Sequence, residues 1–230
     1  MRRTHGTMQR FYWTAAGAGR RMGGMKATAM FVLSALLPFA GCARDTEAGT
    51  TQQETPSMHR TQKPLVVYYS RTGENYAVGD IAEGNTAIVA KMIAQKTGAD
   101  LFEIRTVKEY AADYTECTEE AKRELRDDAR PEIAGDVADF AQHGTVYVGY
   151  PIWWGVPPMG VFTFIEKHDW AGKTVRPFCT HEGSGLGGSV RALRKALPGA
   201  TVADGLAIQG HVAQNDRPAA ETAVERWLGK

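Results

Sequence analysis

The sequence predicts an α/β domain built on a doubly wound parallel sheet, and three observations carry that prediction. Apolar runs of strand length alternate with helix-period stretches five times between residues 64 and 229. The runs are continuous rather than alternating, the pattern of strands covered on both faces. Loops rich in glycine or hydroxyl groups follow the first, third and fourth runs, at the strand ends where such sheets hold ligands.

Each element has its own reason. PLVVYYS (64–70) is the first strand. Asn85 and Thr86 are placed to cap the first helix, Ile88, Val89, Met92 and Ile93 line one face of it, and Gly98 ends it. LFEIRTV (101–107) is the second strand, and TEEAKRELRDDA (118–129) a second helix with mostly solvated charge. TVYVGYP (145–151) is the third strand. Pro157 and Pro158 fit the first turn of the helix that continues through MGVFTFIEK, where a missing N–H costs nothing. TVRPFCT (174–180) is the fourth strand and GGSVRALRKAL (187–197) its helix. GLAIQGH (205–211) is the fifth strand, and PAAETAVERWLG (218–229) closes the fold.

The first sixty residues read differently. Arg2, Arg3, Arg10, Arg20, Arg21 and Lys26 precede an apolar run, ATAMFVLSALLPFAGC, that is too short for a stable span and has the length of a signal-peptide core. Its ending resembles a lipobox, with Ala40 and Gly41 in place, Phe39 where leucine or valine is usual, and Cys42 as the lipidated residue. Ordinary secretory cleavage just beyond is the alternative. Residues 1–42 are read as a signal peptide, 43–63 as a polar tether and 64–230 as the domain. The expected location is outside the cytoplasm, as a lipoprotein that meets the membrane by its lipid anchor only, or as a periplasmic or otherwise extracytoplasmic protein.

From residue 65 the chain carries 18 basic and 23 acidic residues, a net −5 against +1 for the whole chain. About 165 residues suit one domain with a full core, and mild acidity argues against a nucleic-acid partner. Cys117 and Cys179 form no Cys-x-x-Cys motif and join no His/Cys cluster, so no metal site is expected.

The first loop, SRTGENYAVGDIAEGNT, ends at a helix N-terminus, where free N–H groups and the helix dipole favour a phosphate. No lysine accompanies it, which excludes a nucleoside-triphosphate P-loop. The third loop contains GSGLGG (183–188), a formal dinucleotide fingerprint, but on the fourth strand rather than the first. Ser184 lacks the spacing of a nucleophile elbow. The second loop sets Trp153 beside Trp154 among glycine and proline.

Together the loops resemble those of the flavodoxin family, over residues 64 to 229. The resemblance implies a three-layer α/β/α fold with a five-stranded parallel sheet in the order 2-1-3-4-5, and FMN as cofactor. Ser70, Thr72, Gly73, Asn85 and Thr86 correspond to the phosphate loop. Pro151, Ile152, Trp153, Trp154 and Gly155 form the loop beside the flavin, and Thr180, His181, Gly183, Ser184 and Gly185 the third loop. On this resemblance Trp153 borders the ring, and the other indole of the pair serves mainly as core. Two departures stand out. Residues 74–84 split the phosphate loop, as in a subgroup with such an insertion, and His181 stands near the place of the tyrosine that often covers the outer flavin face.

The implied role is electron transfer with a redox protein, or with a small oxidant such as a quinone. An FMN-dependent NAD(P)H or quinone reductase is one alternative, and a flavin-free binding module on the same fold another. The leader makes its own prediction. Cys42→Ser should leave an unprocessed precursor that takes up no labelled palmitate, whereas a soluble product beginning after Ala43 would mean ordinary secretion.

Overall fold

The computed structural model describes residues 62–229. The expected signal peptide, Cys42 and all of the tether but Gln62 and Lys63 lie outside the described residues. The elements in order are β1 (Leu65–Tyr69), β2 (Gly73–Asn75), β3 (Gly79–Ile81), α1 (Asn85–Thr97), β4 (Asp100–Thr106), α2 (Tyr114–Arg126), β5 (Ile133–Ala134) and β6 (Thr145–Pro151). They continue with α3 (Met159–Glu166), β7 (Thr174–His181), α4 (Ser189–Ala196), β8 (Thr201–Val202), β9 (Leu206–Gln209), α5 (Gly210–Asn215) and α6 (Arg217–Leu228).

β4, β1, β6, β7 and β9 are parallel neighbours in that order. Counted along the chain, this is the expected 2-1-3-4-5. Four short strands were not anticipated: β2 and β3 pair as an antiparallel hairpin within the first loop, and two more join the main sheet. β5 adds an antiparallel edge to β4, and β8 pairs with the start of β7. Between Val175↔Val202 and Phe178↔Leu206 the last strand advances one residue more than β7, so a bulge splits it into β8 and β9.

The continuous apolar runs are explained by two cores. Leu65, Val67 and Tyr69 of β1, with Val146, Val148 and Tyr150 of β6, face α3 and α4 through Phe164 and Leu193. Val66, Tyr68 and Tyr147 point the other way, against Ile88, Val89 and Ile93 of α1 and Val224 of α6. β1 and β6 therefore bury both of their faces, and polar alternation has no place in them.

Several boundaries differ from the sequence reading. α3 begins at Met159 with Pro158 as its N-cap, so Pro157 and Pro158 precede its first turn rather than filling it. α2 begins four residues earlier, because Asp113 accepts a bond from Glu116 N (2.8 Å) and caps it. The N-cap of α1 is Gly84, so neither Asn85 nor Thr86 caps it. Gly210 and His211 leave the fifth strand to begin α5. Among the described residues no helix is long and apolar enough to cross a membrane.

Close packing between β6 and β7 sets one strict requirement. A Cβ on Gly149 would lie 2.1 Å from the Phe178 ring, which is itself fully buried and cannot retreat. Gly149→Ala should therefore lower unfolding stability by about 1–3 kcal/mol through overpacking, read by chemical denaturation. Phe178→Leu in the same chain should recover part of the loss, and no recovery would place the strain elsewhere.

Candidate functional site

The parallel strands bring three loops to one edge of the sheet. At the first, the N-terminus of α1 is left open. Gly84 offers no side chain to cap it, and among the described residues the only side-chain acceptor there is Ser70 Oγ, which takes Ala87 N at 3.0 Å. The N–H groups of Asn85 and Thr86 have no acceptor among the described residues. No acid lies in the first helical turn, and Glu83 turns aside to Lys91 (2.7 Å) and Arg217 (3.0 Å). Those cations hold the Glu83 carboxyl below its usual range. The backbone also comes unusually close here. A Cβ on Gly84 would sit 2.2 Å from Ser70 Oγ and 2.5 Å from Arg71 O. Thr72 is exposed, and no hydrogen bond engages its hydroxyl among the described residues. Open N–H groups with free hydroxyls nearby suit an anion.

The Thr86 side chain is engaged within the protein. Its hydroxyl lies 2.8 Å from that of Thr180, and both residues are buried, at 1% and 3% exposure. Thr180 O also accepts Ile152 N at 2.9 Å. The second and third loops meet again where Gly188 N donates to Gly155 O at 2.7 Å. Asn85 accepts from Gln214 Nε2 (2.9 Å), which ties the first loop to α5. Ser70, Asn85, Thr86, Ile152, Gly155 and Thr180 thus belong to one connected end of the molecule.

The two tryptophans are separated by a tight turn. Trp153 and Val156 exchange backbone bonds at 2.9 and 3.1 Å, and Trp154 and Gly155 between them have φ of 51° and 85°. Positive φ at both central positions makes this a type I′ turn. Glycine accepts that conformation freely, whereas a tryptophan there stores about 1–3 kcal/mol of strain. The turn sends the indoles to different surroundings. Trp153 is partly buried, with Tyr69 (5.4 Å, 75°) and Tyr110 (5.0 Å, 88°) set edge-to-face with it. Trp154 is 51% exposed, donates from Nε1 to Thr118 O at 2.9 Å, and has Lys122 Nζ 5.0 Å from its ring centroid. The enclosed indole is therefore Trp153 and the open one Trp154.

His181 organises the third loop. Its Nδ1 accepts both Gly183 N (2.9 Å) and Gly185 N (3.1 Å), which requires that nitrogen to be unprotonated and leaves the proton on Nε2. Burial lowers the pKa of His181, Glu182 opposes the shift and His211 adds to it. Gly183 and Gly185 adopt φ of 110° and 56°, so the loop needs glycine at both places. Ser184 O accepts Gly187 N at 3.2 Å as part of the turn. Cys179 lies beneath with its thiol 3.5 Å from Gly185 O, and burial pushes its pKa up to about 12.

Several participants were not singled out from sequence. Glu182 accepts His211 N (2.7 Å) and lies 2.6 Å from His211 Nδ1, fastening the third loop to α5. Arg71 donates to the carbonyl oxygens of Glu74, Ala111 and Ala112, and Tyr110 OH donates to Glu124 at 2.5 Å. Arg71 and Glu182 lie inside the loops that the sequence marked. Tyr110 carried no signal, because only the fold brings it to Trp153. Among the described residues no group of three metal-ligating side chains comes together, and Cys117 and Cys179 are free.

A family model described as Flavodoxin matches residues 63–227. A provisionally assigned flavoprotein from Bacteroides eggerthii is 32% identical, covering 73% of this chain and 96% of its own, with a TM-score of 0.59. Another from Bacteroides uniformis is 31% identical, covering 73% and 98%, with a TM-score of 0.60. A flavoprotein from Lactobacillus acidophilus, solved in complex with FMN, is 22% identical over 67% of this chain and 97% of its own, with a TM-score of 0.53. That last likeness is one of fold. No curated protein matches the chain.

The doubly accepting His181 makes the third loop sensitive to acid. A lowered folded-state pKa means that the unfolded chain takes up the proton first. The stabilisation is complete above the ordinary histidine pKa and is lost as pH falls through the lower folded value. His181→Asn retains an acceptor without a titrating group, so its stability should fall less than the parent's between about pH 7 and pH 5. The buried His168, also lowered by desolvation, should keep part of the loss in both proteins. Identical acid limbs by chemical denaturation would remove His181 from the account.

Proposed function

This chain belongs to the flavodoxin family, and from that premise we propose that it binds FMN and carries electrons outside the cytoplasm, tethered to a membrane through Cys42. The observation that carries the cofactor reading is the open N-terminus of α1, with its two free N–H groups, no acid in the first turn and a glycine cradle at Gly84. A phosphate fits such a place. Ser70, Thr72, Asn85 and Thr86 hold the phosphate end, through backbone N–H groups and the free Thr72 hydroxyl. The second and third loops hold the ring, and their mutual bond from Gly188 to Gly155 fixes the space between them. The FMN complex of the Lactobacillus protein, which shares the fold, supports the choice of this flavin.

Bound FMN supplies the capacity to take up and release electrons. The chain's own contribution is to orient the cofactor, exclude water on the Trp153 side and keep a hydrogen-bond donor at His181 Nε2. The net charge of −5 on the domain supports a basic redox protein as partner. A second reading, an FMN-dependent reductase of a small acceptor such as a quinone, is favoured by a cavity beside the second loop.

Phosphate recognition gives the sharpest test. The full chain should purify yellow and, once stripped, bind FMN much more tightly than riboflavin. Thr72→Ala should weaken FMN about tenfold, as the loss of a charge-assisted bond does, and leave riboflavin nearly unchanged. Equal losses for both ligands would move the phosphate elsewhere, and a colourless protein that takes up neither flavin would end the proposal.

A further inference from the structure

We propose that the cavity between Asn75 of the β2–β3 hairpin, α2 and the second loop is a binding site for a small planar aromatic anion, which adjoins the flavin site and shares the second loop with it. The cavity measures about 360 Å³. Ligand pockets begin at about 300 Å³, so it suits a molecule of one or two rings. Its walls include Ile152, Trp153 and Trp154 of the second loop, Tyr114 and Ala121 of α2, and Arg71. None of Ser70, Thr72 or Thr86 takes part, and no residue of the third loop does. The cavity therefore lies on the α2 side of the second loop.

Two features define the occupant. The first is shape. Two indoles and a phenol around an apolar floor accept a flat aromatic body better than a branched aliphatic one. Trp154 is kept at a position where asparagine or glycine would relieve the backbone, and its Nε1–H bond to Thr118 O holds the ring against α2. The hairpin is fastened as the facing wall. Tyr76 stacks on Tyr114 at 6.2 Å, and Glu74 accepts Tyr114 N at 2.9 Å.

The second feature is charge. Three carbonyl oxygens hold the Arg71 guanidinium in place, and among the described residues no carboxylate pairs with it. Glu74, the nearest acid in the hairpin, is spent on the helix N-terminus instead. Burial raises the pKa of Cys117, also in the wall, and the Arg71 guanidinium bonded to it opposes that rise. A fixed guanidinium without a carboxylate partner recognises a carboxylate or phenolate oxygen at little ordering cost. On the reading that FMN occupies the adjoining loops, this is where a second substrate would wait. The binding claim itself does not depend on that reading.

The test titrates the full chain, with FMN bound and after its removal, using 2-naphthoate and the neutral 2-naphthamide while following tryptophan fluorescence and heat. The proposal expects saturable one-to-one binding of 2-naphthoate in both forms, about tenfold tighter than 2-naphthamide. Trp154→Asn, which suits the turn and should melt no lower than the parent, should weaken 2-naphthoate about five- to tenfold, the scale of one lost aromatic contact. Ala121→Leu, which fills the cavity from α2, should weaken it at least as much. Absence of binding, or equal affinity in the parent and both variants, would overturn the site. One-for-one competition with FMN would overturn its separateness and leave the flavin reading standing. Binding of 2-naphthoate to a chain that takes up no FMN would uphold the site and sink the flavin reading instead.

Discussion

Two hydroxyls sealed from water, Thr86 Oγ1 and Thr180 Oγ1 at 2.8 Å, join residues 94 positions apart in the chain. Either hydroxyl left alone would cost about 1–3 kcal/mol as an unsatisfied buried group. Meeting both needs at once requires α1 to start where it does and β7 to end where it does. Thr180 is then paired across the sheet with Pro151, and its carbonyl oxygen is free to accept Ile152 N. The second loop leaves the sheet from that bond, turns at Trp154 and Gly155, and is met by Gly188. The relative position of all three loops thus traces back to one buried contact and the parallel register around it.

Around this fixed centre the loops are held by long-range bonds rather than by secondary structure. Arg71 fastens the first loop to the segment after β4, Gln214 fastens Asn85 to α5, and Glu182 fastens the third loop to the same helix. A loop pinned at both ends and in the middle loses little further freedom when a ligand arrives, which is what preorganisation means in energetic terms. The same pinning tolerates local strain. Trp154 can keep a left-handed backbone because Trp153, Val156 and Thr118 all hold bonds that would break if it relaxed.

The sequence disclosed what depends on burial and hid what depends on distant partners. Val66 and Val67 face opposite cores, so β1 reads as an unbroken apolar run, and the same holds for β6. The three loops were legible because a parallel α/β sheet puts its ligand loops at the strand ends. The start of α2 was also there to be found, since Asp113 followed by Glu116 has the spacing of a capping box. The tight turn between the two indoles was not. Gly155 hints at a turn, but tryptophan at the preceding position runs against every turn preference, so the local residues point away from the geometry that forms. Likewise Gly210 and His211 continue an apolar pattern, and only Glu182, far back in the chain, draws them into a helix.

The two edges of the sheet treat a semi-buried cation in opposite ways, and the contrast locates function. Before β7, at the amino edge, Lys173 is buried and donates to three carbonyl oxygens, of Phe140, Ala141 and His143, with its ammonium 4.7 Å from the Phe140 ring centroid. Burial lowers its pKa, yet all three donors have acceptors and nothing more is needed. At the carboxyl edge Arg71 also meets three carbonyl oxygens, but five donors cannot be satisfied by three bonds, and its wall opens into a cavity. The open N–H groups of α1 and the strained turn at Trp154 stand at the same edge. Donors left unused at the carboxyl edge stand where a ligand can complete them.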